Sequence, residues 1–238
     1  MAEREYVRDE AGKFAETGGG GGTPGAGASA PGFPVDSVLR DDRVNDTEEN
    51  RHIRDEHDEY GENVIEERAK GAIYDYIARG SYSQINQELR AHPKQFAELF
   101  AKNSPGDLSG LQSDMAHIQN AIMEAPSIDG LVLYRQTDLP PKAEAKLDTP
   151  GAVLKLAGFH STSESPTTAT GFGGKYLLEI RARQGLLLRE SAEREVLLPH
   201  GAKFRVVGRR RVDVLANPGR VYTKRLSMTV IQLEQISI

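Results

Sequence analysis

Residues 158–163 read Gly-Phe-His-Ser-Thr-Ser, and residues 193–201 read Glu-Arg-Glu-Val-Leu-Leu-Pro-His-Gly. A third short signal, Leu133-Tyr134-Arg135-Gln136, precedes both. Taken singly, each has an ordinary structural explanation. An arginine at a strand end is usually part of a surface ion pair. A Ser-Thr-Ser run is usually a polar strand edge, and two glutamates at i and i+2 usually share a solvated strand face. Their order along one chain gives them weight, so the sequence around them matters.

Around these signals the apolar residues recur at the period of strands. Short strands are expected at 131–135, 153–159, 176–180, 185–188, 195–198, 204–207, 211–215 and 228–233, separated by loops rich in Gly, Pro and Thr such as 163–174. Upstream the period is helical. Ile65, Ala69, Ile73, Tyr76 and Ile77 predict one helix ending near Gly80. Ser81 with Gln84, and Ser109 with Gln112, read as capping boxes opening two more helices. Phe96, Leu99 and Phe100 mark another between them, after the break at His92-Pro93. Helices first and strands afterwards predict an α+β fold rather than alternating βαβ units. Neither a dinucleotide fingerprint of the Rossmann type nor a phosphate-binding P-loop is present.

The 238 residues contain no Cys and no Trp. Disulfides, thiolate metal ligation and thiol nucleophiles are thereby excluded. No run of 18 apolar residues exists, and residues 1–15 have the charged composition of neither a secretory signal nor a span. The net charge of −5 hides an asymmetry: residues 1–70 carry 18 acidic and 9 basic side chains, whereas 200–238 carry 8 basic and 2 acidic. The basic segment is not interleaved with aromatics, so a nucleic-acid partner is not expected. Arg209-Arg210-Arg211 reads as a surface hairpin. Gly18–Gly22 and the Pro/Gly/Ala stretch to Gly32 read as a flexible linker, and the charge-dense 35–62 as either disordered or a solvated helical arm. This sets residues 1–62 apart from a folded domain over 63–238. His52 and His57 lie among acidic residues without calcium-loop or zinc-protease spacing, so no metal is expected.

The three signals together resemble the arginine/serine/glutamate class of mono-ADP-ribosyltransferases. Tyr82-Ser83-Gln84-Ile85-Asn86-Gln87-Glu88-Leu89-Arg90 resembles the helix that supports the cleft in that family. The resemblance covers about 64–238. It implies a helical lobe packed on two roughly perpendicular antiparallel or mixed sheets, with NAD as co-substrate between them. It implies roles as well. Glu195 would be the catalytic glutamate at the NAD ribose, and Ser161 the serine that orients it. Thr162 and Ser163 would support the cleft floor, and Arg135 would contact the NAD phosphates or brace the site. Residues 165–174 would form the loop over nicotinamide, with Phe172 either stacking on the leaving ring or anchoring the core. His160 falls at the variable position of the serine motif.

Cleaving the nicotinamide–ribose bond builds positive charge at the sugar, which a nearby carboxylate stabilises. Glu193 matches the acid that faces the acceptor, where asparagine-modifying members carry Gln. A carboxylate there suits a guanidinium and can take its proton. The resemblance therefore implies ADP-ribose transfer to arginine on a target protein in a bacterial host. An NAD glycohydrolase on the same fold is the alternative, favoured by the lack of an aromatic in Arg189-Glu190-Ser191-Ala192. A third reading comes from Tyr6–Ala15, which resembles N-terminal tags of bacteriophage structural proteins. It implies partners in the phage head, and either a virion tethering protein or an enzyme carried by a particle into the host cytoplasm.

Overall fold

The computed structural model describes residues 6–8, 14–16, 35–39, 45–102, 105–188, 194–216 and 224–238. In chain order the strands and helices begin with β1 (Tyr6–Arg8), β2 (Phe14–Glu16) and β3 (Val35–Leu39), the first two forming an antiparallel pair. Five helices follow: α1 (Glu48–Asn63), α2 (Glu67–Ala78), α3 (Tyr82–Ala91), α4 (Pro93–Lys102) and α5 (Gly110–Glu124). Then come β4 (Val132–Thr137), the short α6 (Pro141–Glu144), β5 (Val153–Lys155), β6 (His160–Ser163) and α7 (Pro166–Ala169). The chain closes with β7 (Tyr176–Arg181), β8 (Leu186–Leu187), β9 (Glu195–Leu198), β10 (Lys203–Ala216) and β11 (Lys224–Ser237). The helices α1–α5 precede the strands β4–β11, as the change of period requires, and the fold is α+β.

The strands join in the order β3-β10-β11-β7-β4-β6-β9-β8, with β5 paired to β10. Pairing is mixed, since β11–β7 and β10–β3 are parallel and the others antiparallel. The path is continuous but narrows at one place. β4 and β6 share a single ladder pair, Tyr134 with Ser163. The two sheets implied by the resemblance are thus two groups of strands joined by this seam. One core lies within the larger group and takes in Leu133, Ile180, Phe204 and Ile231, together with Val196 and Leu198 of β9. A second is formed by the helices, with Tyr76, Ile85, Leu89, Ile118 and Ile122 enclosing Phe159, Leu186 and Leu197. A third packs Tyr134, Ala169 and Phe172 against Val212, Val214 and Val230.

Four expectations are corrected. The arm over 35–62 is not a solvated appendage: α1 buries Asn50, Ile53, His57 and Tyr60 at helical spacing. Asn45 ties the chain just before it to β4, donating to the Val132 carbonyl and accepting from its amide, both at 2.8 Å. Arg54 completes the attachment through a buried carboxylate, Glu164. The linker expected at 18–32 lies outside the described residues. Second, neither Ser81 nor Ser109 makes a side-chain capping bond, although both occupy the N-cap position. Ser81 has helical rather than extended backbone angles, which turn a cap hydroxyl away from the free amides. Third, 204–207 and 211–215 are one strand carrying a register shift between Val206 and Gly208. Fourth, the three arginines lie within that strand rather than in a hairpin turn; Arg209 meets Asp148 and Arg210 meets Glu179.

His57 gives α1 a titratable anchor. It is 2% exposed and its Nδ1 faces the Leu187 amide of β8. Burial pulls its pKa down from 6.5 to about 4. The unfolded chain therefore takes up this proton first as pH falls. The stability linked to His57 is complete above pH 6.5 and declines from there to about pH 4, by up to about 3 kcal/mol. Thermal unfolding of the wild type should therefore drop more steeply on acidification than that of His57→Asn. Parallel pH profiles would disprove the assignment.

Candidate active site

β6 and β9 run antiparallel with His160 opposite Leu198, Ser161 opposite Leu197, Thr162 opposite Val196 and Ser163 opposite Glu195. Alternation along each strand then sorts the side chains. Phe159, Ser161, Ser163, Glu195 and Leu197 share the face toward the helices. Thr162, Val196 and Leu198 share the other. The core memberships agree: Phe159 and Leu197 belong to the helical core, Val196 and Leu198 to that of the sheet. Glu195 is only 1% exposed.

The resemblance pairs Ser161 with Glu195, whereas the register sets Ser163 directly across from the glutamate and Ser161 one diagonal step away. Ser163 Oγ also accepts from the Ser165 amide at 3.0 Å. Thr162 differs from both serines. It is fully buried on the opposite face, and its hydroxyl donates to the Val196 carbonyl at 2.7 Å, so it braces the strand pair. Arg135 on β4 donates through Nη1 to the Ser161 carbonyl, and its guanidinium lies 5.2 Å above the Phe172 ring. Phe172, 7% exposed, is a member of the third core, which favours the anchoring alternative for this ring. Residues 165–172 are compact rather than an open loop, because Ser165 caps α7 by accepting from the Thr168 amide.

Glu193 and the turn at 189–192 lie outside the described residues. β9 begins only at Glu195, and Arg194 before it is left-handed with φ 49°. Strand alternation does not extend across such a residue. The expectation that Glu193 and Glu195 share a face by i, i+2 spacing falls on a residue outside the described ones. The Arg194 carbonyl accepts from the Glu164 amide at 3.2 Å, which extends the contact between the two chain segments beyond the ladder.

Several supporting groups are given no role by the three motifs, although His200 stands within residues 193–201. Asn86 of α3 accepts the Phe159 amide at 2.7 Å and donates to the Tyr76 hydroxyl at 2.8 Å. His200 accepts the Gly158 amide at 2.9 Å, and its own amide bonds Gln119 of α5 at 3.0 Å. The helical lobe thus satisfies backbone donors that would otherwise be buried unpaired. His160 is held well below the usual imidazole pKa by burial first, then by the positive charge of Arg135 and Arg90. A neutral imidazole beside two guanidinium groups cannot act as a general acid, and the cations suit an anionic substrate. Phosphate-matching cations, hydroxyls and a buried carboxylate together fit a dinucleotide that must lose a group from its ribose. Among the described residues no cluster of His, Asp and Glu could hold a metal ion.

Residues 50–231 match the family model of the ADP-ribosyltransferase exoenzyme. The chain belongs to that family. Members use NAD as a substrate, and its toxins act on target proteins. Solved structures share the fold. The enzymatic component C2-I of the C2 toxin of Clostridium botulinum is 19% identical with a TM-score of 0.56, over 76% of this chain and 47% of its own. This exoenzyme thus spans about half the length of C2-I. Plx2a, an ADP-ribosyltransferase toxin of Paenibacillus larvae, is 18% identical with a TM-score of 0.55, over 84% of this chain and 100% of that one. Vis of Vibrio splendidus, solved with agmatine, is 22% identical with a TM-score of 0.54, over 80% of this chain and 86% of its own. No curated protein matches the chain by sequence.

Gly158 offers a direct check of the supports beneath this site. Its φ is +92°, and an added Cβ would lie 2.6 Å from Asn86 Oδ1, the atom that holds the Phe159 amide. Gly158→Ala should destabilise the fold by about 1–3 kcal/mol in urea unfolding. A change indistinguishable from zero would mean that the Asn86 contact is dispensable.

Proposed function

We propose that this exoenzyme transfers ADP-ribose from NAD to arginine side chains of a target protein and releases nicotinamide. The observation that carries the reading is the placement of Glu195. It is a carboxylate withdrawn from water, across from Ser163 and on the face that also holds Ser161. In the proposed reaction the bond between ribose C1 and the nicotinamide nitrogen breaks. Nicotinamide leaves neutral with the electron pair, and positive charge grows on the sugar. Glu195 stabilises that charge and accepts the ribose 2′-hydroxyl, with Ser161 and Ser163 orienting it. Arg135 serves the phosphates while keeping its grip on the Ser161 carbonyl. The guanidine nitrogen of the acceptor closes the new bond to C1, and Glu193 takes its proton.

The acceptor class rests on Glu193 of the Glu-Arg-Glu sequence, since a carboxylate can hold a guanidinium bidentately. The complex of Vis with agmatine supports it, because agmatine ends in the same guanidinium as arginine. The fold does not choose the acceptor, being shared with the Clostridium limosum C3 exoenzyme as well. Relatives named as toxins support a target inside a cell that receives the enzyme, whereas carriage by a virion rests on Tyr6–Ala15 alone.

Incubation with labelled NAD, with agmatine and a bacterial lysate as acceptors, separates the possibilities. Glu195→Gln should lower both nicotinamide release and labelling on the order of 10²–10³-fold. Glu193→Gln should abolish labelling of guanidino acceptors while nicotinamide release into water persists. Undiminished turnover in Glu195→Gln would overturn the site, and label on acceptors other than guanidines would overturn the arginine assignment. Arg135→Lys cannot grip the Ser161 carbonyl and a phosphate together, so KM for NAD should rise about tenfold.

A further inference from the structure

We propose that His200 is a positioning residue whose neutral imidazole sets the start of the Ser161–Ser163 strand against the Glu195 strand. The inference rests on the function proposed above and adds a residue to it. The ladder of β6 and β9 ends at His160 opposite Leu198. Continued in the same register, its next pair but one would join Gly158 to His200. A backbone ladder cannot continue there. Gly158 has left the extended region with φ +92°, and backbone pairing resumes in the same register only at Leu156, which donates to the Ala202 carbonyl at 3.0 Å and accepts from the Gly201 amide at 3.1 Å. The His200 side chain replaces the missing link, its Nδ1 accepting the Gly158 amide at 2.9 Å.

The other bonds of this junction point the same way. The His200 amide is held by Gln119 Oε1 of α5, and the Phe159 amide by Asn86 Oδ1 of α3. Both chain ends beyond the ladder are therefore pinned to the helical lobe, and His200 bridges the gap between the β6–β9 ladder and the backbone bonds of Leu156 with Gly201 and Ala202. The consequence reaches the reactive strand. The Ser161 carbonyl is the group Arg135 grips, and Ser163 faces Glu195. A strand of four residues has few bonds of its own to hold register, and a slip of one residue would exchange its faces.

An imidazole nitrogen that accepts an amide proton carries none itself, so the ring must be neutral with its hydrogen on Nε2. Its surroundings favour that state. The ring is buried, Phe100 of α4 meets it edge-on at 6.4 Å, and Lys155 of β5 and burial both lower its pKa. His160 of β6 is a further titratable neighbour, and the Pro93 carbonyl of α4 is the one neighbour that opposes the shift. Protonation would turn Nδ1 from acceptor to donor, facing the donor it now holds.

The test uses the full chain and two variants. His200→Asn keeps an acceptor, Oδ1, in the place of Nδ1 and cannot titrate. His200→Leu keeps bulk and loses the acceptor. Amide hydrogen exchange without NAD reads the junction itself, and NAD turnover between about pH 5 and pH 8 reads its effect. His200→Leu should lose protection at residues 158–163 while α1 stays protected, and kcat should fall at least about tenfold. His200→Asn should restore both, and its kcat should hold at the acid pH where protonation of His200 makes that of the wild type decline. Unchanged exchange in His200→Leu, or an Asn profile as steep as that of the wild type, would overturn the proposal. Altered exchange with full turnover would reduce His200 to a structural brace. If His200→Leu loses α1 protection as well, the Asn variant and its pH profile decide alone. A wild type that turns over no NAD would sink the function itself, and the exchange data would still decide the junction.

Discussion

The two-sided burial of β9 is the constraint on which the site depends. Four residues long, it places Val196 and Leu198 in the sheet core and Leu197 in the helical core. Each such side chain contributes about 1.5–3 kcal/mol on burial. Turning the strand over would therefore replace Val196 and Leu198 by Leu197 in the sheet core and carry the Glu195 carboxylate into it. Glu195 follows from this arrangement rather than the reverse. Its direction is set by the alternation that Leu197 fixes, and the burial of Val196, Leu197 and Leu198 around it draws the carboxyl group out of water beside Ser161 and Ser163. A carboxylate in such surroundings acts more strongly on a developing positive charge than one in water.

The seam between the two groups of strands adds a second condition. Only Tyr134 and Ser163 join β4 to β6 by backbone pairing, so other contacts must hold the seam closed. They lie on both sides of it. Arg135 bridges from β4 to the Ser161 carbonyl over the Phe172 ring, and Arg54 with Asn45 ties α1 to Glu164 and Val132. The bridging groups are polar, and Asn45 and Glu164 among them are buried, so the seam is held by hydrogen bonds satisfied away from water.

Much of this was legible in the sequence, and the exceptions have physical reasons. The helix-to-strand change of period, the apolar run 196–198 and the strand positions of Arg135 and Ser161–Ser163 are found where the sequence places them, because each is a local pattern with local consequences. α1 escaped notice because its buried stripe uses Asn50, His57 and Tyr60 beside a single aliphatic, Ile53, amid many charges. A reading that weighs apolar residues does not register Asn and His as core. The Ser81 cap failed for a related reason: a motif fixes which atoms are available, whereas backbone angles decide whether they meet. Asn86, Tyr76, Gln119 and His200 were invisible as a group, since 10 to 81 residues separate the bonded pairs among them and only the fold brings them together.

The left-handed residue at Arg194 bears on how such a site changes its acceptor. Everything assigned to NAD lies in or against the β6–β9 ladder, where a substitution disturbs two cores. Glu193, assigned to the acceptor, precedes the point at which the strand begins. A positive-φ residue, Arg194, lies directly before the strand, so the alternation that sets the face of Glu195 begins at Glu195 itself. An exchange of Glu for Gln at 193 then alters charge and proton affinity at the acceptor without touching the register of the catalytic strand. On this reading acceptor choice is separable from NAD cleavage in one chain, and a fold shared by C2-I, Vis and the C3 exoenzyme can accommodate different acceptors because the strand carrying the glutamate need not be rebuilt.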